Sequence, residues 1–590
     1  MTVSLAELRI LALDCQTTGA NPQKGHLLEL GWMAACASPT DTSPASSAQA
    51  YLNRLPAGEN IPRAVSRITG ISDQSLGAAK PSRIIWQDLL DAVEAIVVEN
   101  QTAACPTVIH FARFEAPFLK DLHRKNDPDS PFPFQIICTH EIATRLLPDL
   151  PRRGLRAIAG YFNHSMPEFK RSADHVVATV HIWQQMVKLL SDRLGIGTLG
   201  QLVDWLASPA PAGRSQRIYP MAAEKRLPLP DKPGIYRMLR ANSDLLYIGK
   251  AKSLKIRVNS YFRKKAPHAE HILEMLTQAQ KLEFTLTGSA VEAALLESDE
   301  IKRHSPPYNI ALRNRQRNLV FCSKDLRRHS TAADRDFTVG PLPDGKFIEA
   351  VLAFGHWIAR DGGWTDHEVA ARGGKLLGLA PEVAPDPACL QEGLAIFRQG
   401  HCNQIQTQSP LRLLTGPGAT LWRRRLEAAE AEDTVEDVMD ANETDAAQPE
   451  DTPEGHVWTP EMVAKSLGHL VLHSAHLIRR ARWLCLLSES SLAWEPAGQP
   501  GHLHNRIVLE GGSVTEVEDR GANDEMPIPP HFDRSFHRRQ KHLNLMTYDR
   551  LRVLTTELRR LVSENRRIKL RLGPKVCLGN NELKKALRWV

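Results

Sequence analysis

Over the first 190 positions, apolar residues fall in short blocks with two alternating spacings. Residues 8–13 form a compact apolar run of strand type, and 27–35 form a second one after a turn containing Gly19, Asn21 and Pro22. Residues 84–99 carry the three-and-four spacing of an amphipathic helix, and 107–110 are again strand-like. Helical patterns follow at 116–124, 141–147 and 173–190. Strands and helices in alternation predict an α/β layer fold for this section.

Residues 208–230 are rich in Pro, Ala and Gly, the composition of an exposed linker. Beyond it, 233–239 and 245–249 read as two strands joined by Ala-Asn-Ser-Asp, a hairpin turn composition. A helix is expected over 253–262. Another starts at Ser289 with the capping-box pattern Ser-Ala-Val-Glu, followed by the apolar run 293–296 and stopped by Pro306-Pro307. Residues 318–425 mix both patterns without nameable chemistry. Residues 427–454 hold twelve acidic side chains and no basic one, which predicts disorder. Strong amphipathic helices are expected at 461–487 and 548–564. The fold class expected is therefore α/β and α+β multidomain, with a mostly helical C-terminal region. The expected domains are 1–195, a helix and linker at 196–226, 227–317, an unassigned region 318–425, an acidic linker 426–457, and a basic region 458–590.

Composition narrows this only a little. With 590 residues the chain is too long for one core, and about three to five domains are expected. Hydrophobic content of 42% and charged content of 24% are ordinary, and the net charge of +7 is only mildly basic. The 9 cysteines are scattered from Cys15 to Cys577 without a CxxC pair, which favours a reducing compartment over a disulfide framework. No apolar run is long enough to span a membrane, and the first residues lack the pattern of a signal peptide. A cytoplasmic location is expected.

The chemistry concentrates between Pro233 and Asn309. Tyr236, Tyr247, Lys250, Lys252, Arg257, Glu297 and Asn309 supply two phenols, cations, one carboxylate and one amide within about eighty residues. Phosphodiester hydrolysis needs a metal to stabilise charge, and one carboxylate plus waters suits Mg²⁺. It also needs a proton acceptor for water, which a tyrosine beside a cation can be, and a cation at the non-bridging oxygens, which suits a bidentate arginine. Glu297 sits beside an apolar helical run, where a divalent ion would account for its charge. The pieces PGIYRM, YIGKAKSLKIRVNSYF and ALLESDEIKRHSPPYNI resemble, in order and spacing, the GIY-YIG nuclease domain of the UvrC excision-repair endonuclease family over residues 227–313. The resemblance implies one Mg²⁺ or Mn²⁺ held by Glu297, Tyr236 next to the attacking water, Tyr247 and Lys250 in support, Arg257 on the scissile phosphate, and Asn309 ordering the site.

The first section carries LALDCQTTG, HLLELGWM, VSRITGIS and HFARFEAPFL, which resemble the DnaQ-like (DEDD-type) 3′–5′ exonucleases, of RNase H-like fold. That family cuts with two metal ions and four carboxylates. Here Asp14 is kept, Gln16 stands in place of a Glu, and Glu115 in place of an Asp. Lys170 falls at the general-base position and His175 at the last Asp. Two carboxylates and a lysine would hold two Mg²⁺ poorly, so the fold is expected without its exonuclease activity.

Charge supports a polyanionic partner locally: 225–317 hold eighteen Lys and Arg against nine Asp and Glu, and 534–588 hold sixteen against four. In the latter, Arg538, Arg539, Lys541, Arg550, Arg552, Arg559, Arg560, Arg566, Arg567 and Lys569 recur through an expected helical stretch. They form either a phosphate-tracking face or a solvated helix paired with the acidic segment. His469, His473 and His476 share one helix face, where interleaved leucines favour packing over metal binding. Neither a second nuclease domain nor helix-hairpin-helix motifs are recognisable after residue 314. The function expected is a metal-dependent DNA endonuclease making a single incision in repair, with DNA and other repair proteins as partners. The alternatives are a dual nuclease with residual 3′–5′ exonuclease activity and a non-catalytic DNA-binding scaffold.

Overall fold

The computed structural model describes residues 3–588 except 39–47, 166–169, 210–217, 264–267, 310–317, 361–363, 380–383, 402–408, 417–419, 421–423, 425–457, 497–502, 504, 517–542 and 574–575. The chain divides into two compact units. One is Met1–Thr287 with His304–Ile310, and the other is Gly288–Arg303 with Ala311–Val590.

The first unit begins with a five-stranded sheet of β1 (Ile10–Thr17), β2 (Leu27–Ala35), β3 (Gln49–Leu52), β4 (Cys105–Ile109) and β5 (Phe134–Cys138), in the order β3-β2-β1-β4-β5. β1 pairs antiparallel with β2 and parallel with β4, and β4 is parallel to β5. Strand alternation gives the sheet two apolar faces. Leu11, Leu13, Leu30 and Trp32 pack under Ile85, Trp86 and Leu89 of the helix Ser82–Asn100. Ile10, Ala12, Val108 and Ile137 pack under Val176, Val180, Trp183 and Met186 of the helix Ser172–Leu194. Helices on both faces of a largely buried sheet make a three-layer α/β/α body, the layout of the RNase H-like expectation. β1 runs past the apolar block at 8–13, so Asp14 and Gln16 lie within the strand.

The rest of the first unit is a small antiparallel sheet, β7-β6-β8, of β6 (Gly234–Leu239), β7 (Leu245–Ala251) and β8 (Lys281–Leu286). The β6–β7 turn closes with the Arg240 N–H donating to the Asp244 carbonyl and takes Ser243 into the left-handed region at φ 72. Helices Leu254–Ser260 and Glu270–Gln278 flank the sheet. The first is capped by Ser253, whose hydroxyl accepts the Ile256 N–H at 3.2 Å. Helix Glu270–Gln278 packs against Leu155–Tyr161 of the preceding body. There Gly160 has no room for a Cβ, which would lie 1.8 Å from the Gln278 amide oxygen.

The second unit starts with most of the helix Ala290–His304. Residues 318–425, unassigned from sequence, contribute a three-stranded sheet of β9 (Leu319–Ser323), β10 (His329–Ser330) and β11 (Phe337–Pro343), and helices Lys346–Ile358, Asp366–Leu376 and Pro387–His401. Trp357, Leu390, Phe397, Val463 and Leu467 share one core, the last two on the helix Pro460–Leu487.

The expected mostly helical C-terminal region needs correction. Its helices Pro460–Leu487, Leu545–Ser563 and Asn580–Leu587 accompany a five-stranded antiparallel sheet of β12 (Ser490–Trp494), β13 (Asn505–Glu510), β14 (Ser513–Glu516), β15 (Ile568–Leu572) and β16 (Val576–Leu578). Strands this short give too few positions for a period of two to stand out from a helical one. In β15, Ile568 and Leu570 point to the core while Lys569 and Arg571 alternate with them, so Lys569 belongs to a strand and not to the expected basic helix. The acidic segment 427–454, Arg538, Arg539 and Lys541 lie outside the described residues. Among described residues no helix is long and apolar enough to cross a membrane.

Candidate active site

The β6–β7 hairpin positions the tyrosines. Its register sets Tyr236 opposite Gly249 and Met238 opposite Tyr247, so both phenol rings lie on one face of the sheet. Their centroids are 6.1 Å apart. Tyr236 is completely buried, and its hydroxyl lies 2.9 Å from that of Tyr261, a buried residue just after the helix Leu254–Ser260. Arg257, one helical turn before Tyr261, donates to the Tyr261 hydroxyl at 3.2 Å and stands 5.1 Å from its ring centroid. Burial pushes the Tyr236 phenol well above its ordinary pKa, followed by the neighbouring Tyr261 and Tyr247, while Arg257 pulls it down. Tyr236 is therefore a neutral phenol at physiological pH.

Asn309 holds the hairpin at the edge strand β7. Its amide oxygen accepts the Ile248 N–H at 2.9 Å and its amide nitrogen donates to the Ile248 carbonyl at 2.8 Å. This two-point clasp fixes the strand between Tyr247 and Gly249. Lys250 pairs with Ile235 in the register, so strand alternation assigns it to the sheet face opposite Tyr236 and Tyr247. Lys252 is exposed beyond the strand end. Glu297 lies half-buried on the helix Ala290–His304, in the part belonging to the second unit, while the tyrosines belong to the first. Among the described residues no three His, Cys, Asp or Glu side chains converge as a metal cage. A lone carboxylate completed by waters fits Mg²⁺, which keeps several waters, and does not fit Zn²⁺ or Ca²⁺.

The N-terminal site also assembles, with a different outcome. His175, on the helix Ser172–Leu194, brings Nδ1 to 3.0 Å from Oδ1 of Asp14, and the Gln16 amide nitrogen lies 3.4 Å from Oδ2 of Asp14 and 3.3 Å from the same imidazole nitrogen. Glu115 accepts the Cys15 N–H at 3.1 Å. Burial first, and then the Asp14 charge, push the Glu115 carboxyl well above the ordinary range, with the Cys15 N–H opposing them. Three of the four oxygens of Asp14 and Glu115 thus meet an imidazole, an amide and a backbone N–H. Lys170 is exposed and its stem lies near Gly70, in the turn of the VSRITGIS stretch.

Two residues were missed in the sequence. Tyr261 could have been found from Arg257, four positions earlier on the same helical face. Glu29, facing Gln16 across β1 and β2, is fully buried; it accepts the Ser172 N–H at 2.8 Å and is paired with Arg171. A carboxylate at a helix N-terminus suits the helix dipole, and this one anchors the helix that carries His175. Its signal was a Glu inside an otherwise apolar strand.

Three of the C-terminal arginines are held in ion pairs. Arg550 is paired with Asp299, Arg552 lies 3.6 Å from Asp549, and Arg560 is 2.7 Å from both Glu557 and Glu564. These three are engaged in ion pairs within the unit. The ring of His473 lies edge-on at 4.7 Å from Phe347, and burial pushes its pKa down to about 4, as befits a packed helix face.

Residues 232–310 match the family model of the UvrC-like GIY-YIG domain. The UvrABC system protein C of Psychrobacter sp. is 49% identical over 98 residues, covering 16% of this chain and 16% of that protein. A Mycobacterium tuberculosis protein named as a bifunctional exonuclease/endonuclease is 27% identical over 316 residues, covering 52% of this chain and 45% of that one. The chain thus matches about a sixth of the UvrC relative's length and less than half of the mycobacterial one. The magnesium-bound GIY-YIG N-terminal endonuclease domain of Thermotoga maritima UvrC is 34% identical, with 15% of this chain and 93% of that one covered and a TM-score of 0.14. Exonuclease X in complex with 5′ overhanging duplex DNA is 16% identical, with 34% and 99% covered and a TM-score of 0.23. On the family model alone, the segment 232–310 is a UvrC-like GIY-YIG domain within this chain.

Proposed function

We propose that the protein is a metal-dependent DNA endonuclease that makes a single phosphodiester incision in DNA repair, in the cytoplasm. The observation that carries this reading is the buried Tyr236–Tyr261–Arg257 chain on a GIY-YIG hairpin whose backbone Asn309 clasps. Apart from function, such a cluster of phenols and a cation would be an expensive way to build a small core.

In this reading Glu297 holds one Mg²⁺ or Mn²⁺, which when bound stabilises negative charge on the phosphate. Tyr236, kept neutral by burial, orients the attacking water by accepting its hydrogen bond, and Tyr261 fixes the phenol's direction. Arg257 presents N–H groups to the non-bridging oxygens. Tyr247 and Lys250 support the hairpin end, and Asn309 keeps the strand carrying Tyr247 in register. The N-terminal body keeps the exonuclease layout without the exonuclease reaction, because Asp14 is engaged by His175 and Gln16.

The test is nicking of supercoiled plasmid, UV-irradiated and untreated, in Mg²⁺, by wild type, Glu297→Ala and Tyr236→Phe. Nicking by wild type alone, stronger on irradiated plasmid, is expected. Equal nicking by wild type and Glu297→Ala would remove the site assignment, and equal nicking of both plasmids would remove repair.

A further inference from the structure

The helix Ala290–His304 carries the proposed metal ligand, yet most of it is packed into the second unit. At about 100° per residue, Val291, Leu295, Asp299 and Lys302 fall on one face, with Glu297 on the far side. That one face is gripped. Val291 and Leu295 are buried in a core with Trp483, Leu484, Leu551 and Leu554. Asp299 accepts a two-pronged pair from Arg550, at 2.9 Å from Nε and 2.8 Å from Nη2. Lys302 is paired with Asp549 and donates to the Leu545 carbonyl at 3.2 Å. Both ion pairs reach the helix Leu545–Ser563, where Asp549 and Arg550 are adjacent.

We infer that this C-terminal helix is a positioning clamp for the metal site, with Arg550 and Asp549 fixing the rotation and axial placement of the helix that presents Glu297. The inference rests on the reading of Glu297 as the metal ligand. Apolar contacts alone leave a helix free to slide or turn by small amounts. Two charge pairs of opposite polarity, three residues apart on one face, do not, because any register shift brings like charges together. A single-carboxylate site depends on such placement, since no second protein ligand corrects an error in the first. The charge at Arg550 thus serves metal geometry, and the helix Leu545–Ser563 has a role in the reaction through the placement of Glu297.

The experiment uses the full chain and two readouts, Mn²⁺ binding by electron paramagnetic resonance and single-turnover nicking. Wild type, Glu297→Gln, Arg550→Ala, Asp299→Arg and the swapped pair Asp299→Arg/Arg550→Asp are compared, with thermal unfolding as the check on folding. Arg550→Ala is expected to weaken Mn²⁺ binding and slow the incision step by about three- to tenfold while KM for plasmid stays within twofold. The swapped pair is expected to recover at least half of both losses. Mn²⁺ affinity and rate within twofold of wild type in folded Arg550→Ala overturn the clamp. So does a failure of the swapped pair to recover any metal affinity while unfolding at the wild-type temperature. If Glu297→Gln binds Mn²⁺ as wild type does, the metal assignment falls and takes the clamp with it, a result distinct from the first because it appears in the Glu297 variant alone.

Discussion

A single methyl group at residue 249 tests whether the two tyrosines work as a pair. A Cβ on Gly249 would lie 2.4 Å from both Cζ and the hydroxyl oxygen of Tyr236, and 2.8 Å from Cε1 of Tyr247. Non-bonded carbon atoms rest at about 3.5–4.0 Å, so Gly249→Ala forces one or both rings to move by roughly an ångström. Neither ring yields freely. Tyr236 is fully buried and tied to Tyr261, and Tyr247 is carried by the strand that Asn309 clasps. The backbone at Gly249 is ordinary strand, so the whole effect is steric. Overpacking of this kind costs about 1–3 kcal/mol. A misplacement of about 1 Å in a catalytic group costs on the order of a hundredfold in rate.

The assay is single-turnover nicking of supercoiled plasmid alongside thermal unfolding. Gly249→Ala is expected to unfold several degrees below wild type and to nick about a hundredfold more slowly, with Mn²⁺ affinity at Glu297 unchanged. A variant that unfolds early but nicks at the wild-type rate would show that the ring pair is packing and not machinery. A variant matching wild type in both would refute the steric argument itself.

Three further outcomes are expected. Tyr261→Phe keeps the ring and loses the hydroxyl between Tyr236 and Arg257, so it should cost about 1 kcal/mol of stability and slow nicking about tenfold; an unchanged rate in single-turnover assays refutes its part in the site. Glu115 has its folded-state pKa raised by burial, so its contribution is whole below the ordinary carboxylate pKa and is lost as pH rises through the folded value. Glu115→Gln, which still accepts the Cys15 N–H, should therefore gain stability over wild type as pH rises above the ordinary carboxylate range in urea unfolding, and a difference that does not change with pH contradicts the shift. Gly160→Leu drives a side chain into the Gln278 amide and should raise amide hydrogen exchange in both Leu155–Tyr161 and Glu270–Gln278; exchange raised in only one helix would mean the two are not docked through this contact.

Long, regular patterns were legible. The apolar run read at 27–35 is the strand Leu27–Ala35, the helix read at 173–190 lies within Ser172–Leu194, and the hairpin read at 233–239 and 245–249 is Gly234–Leu239 and Leu245–Ala251. In each, most apolar positions are buried and local preference agrees with the packing. Legibility failed where polar side chains occupy a buried strand. Residues 8–13 were read as the first strand because Asp14 and Gln16 break its apolar run, yet those two are the residues the strand delivers to His175. The sheet of the second unit was lost for another reason: strands of three to six residues, with Lys569 and Arg571 alternating through one of them, mimic a basic helix. Around the hairpin, residue types were legible one at a time, but the link from Tyr236 through Tyr261 to Arg257 depends on a strand meeting a helix end across 25 positions of sequence.

The N-terminal body raises the question of how a three-layer α/β/α fold holds two carboxyl groups side by side in its interior. Asp14 and Glu115 are buried neighbours, and two bare carboxylates in that position would repel. In a two-metal enzyme the ions offset that repulsion. Here His175 and Gln16 reach Asp14, and the Cys15 N–H reaches Glu115, so the chain itself supplies polar partners to both carboxyl groups. What the body still offers is its contact with the GIY-YIG domain. Gly160 admits the Gln278 side chain, whose amide oxygen takes two bonds from the buried Arg240 at 3.1 and 2.9 Å. The Gln278 amide nitrogen reaches the hydroxyl of Tyr308, the residue before Asn309. From Asn309 the path ends on the backbone of Ile248, between Tyr247 and Gly249. A body docked this closely, two bonds from the clasp on the candidate site, contributes rigidity to the hairpin.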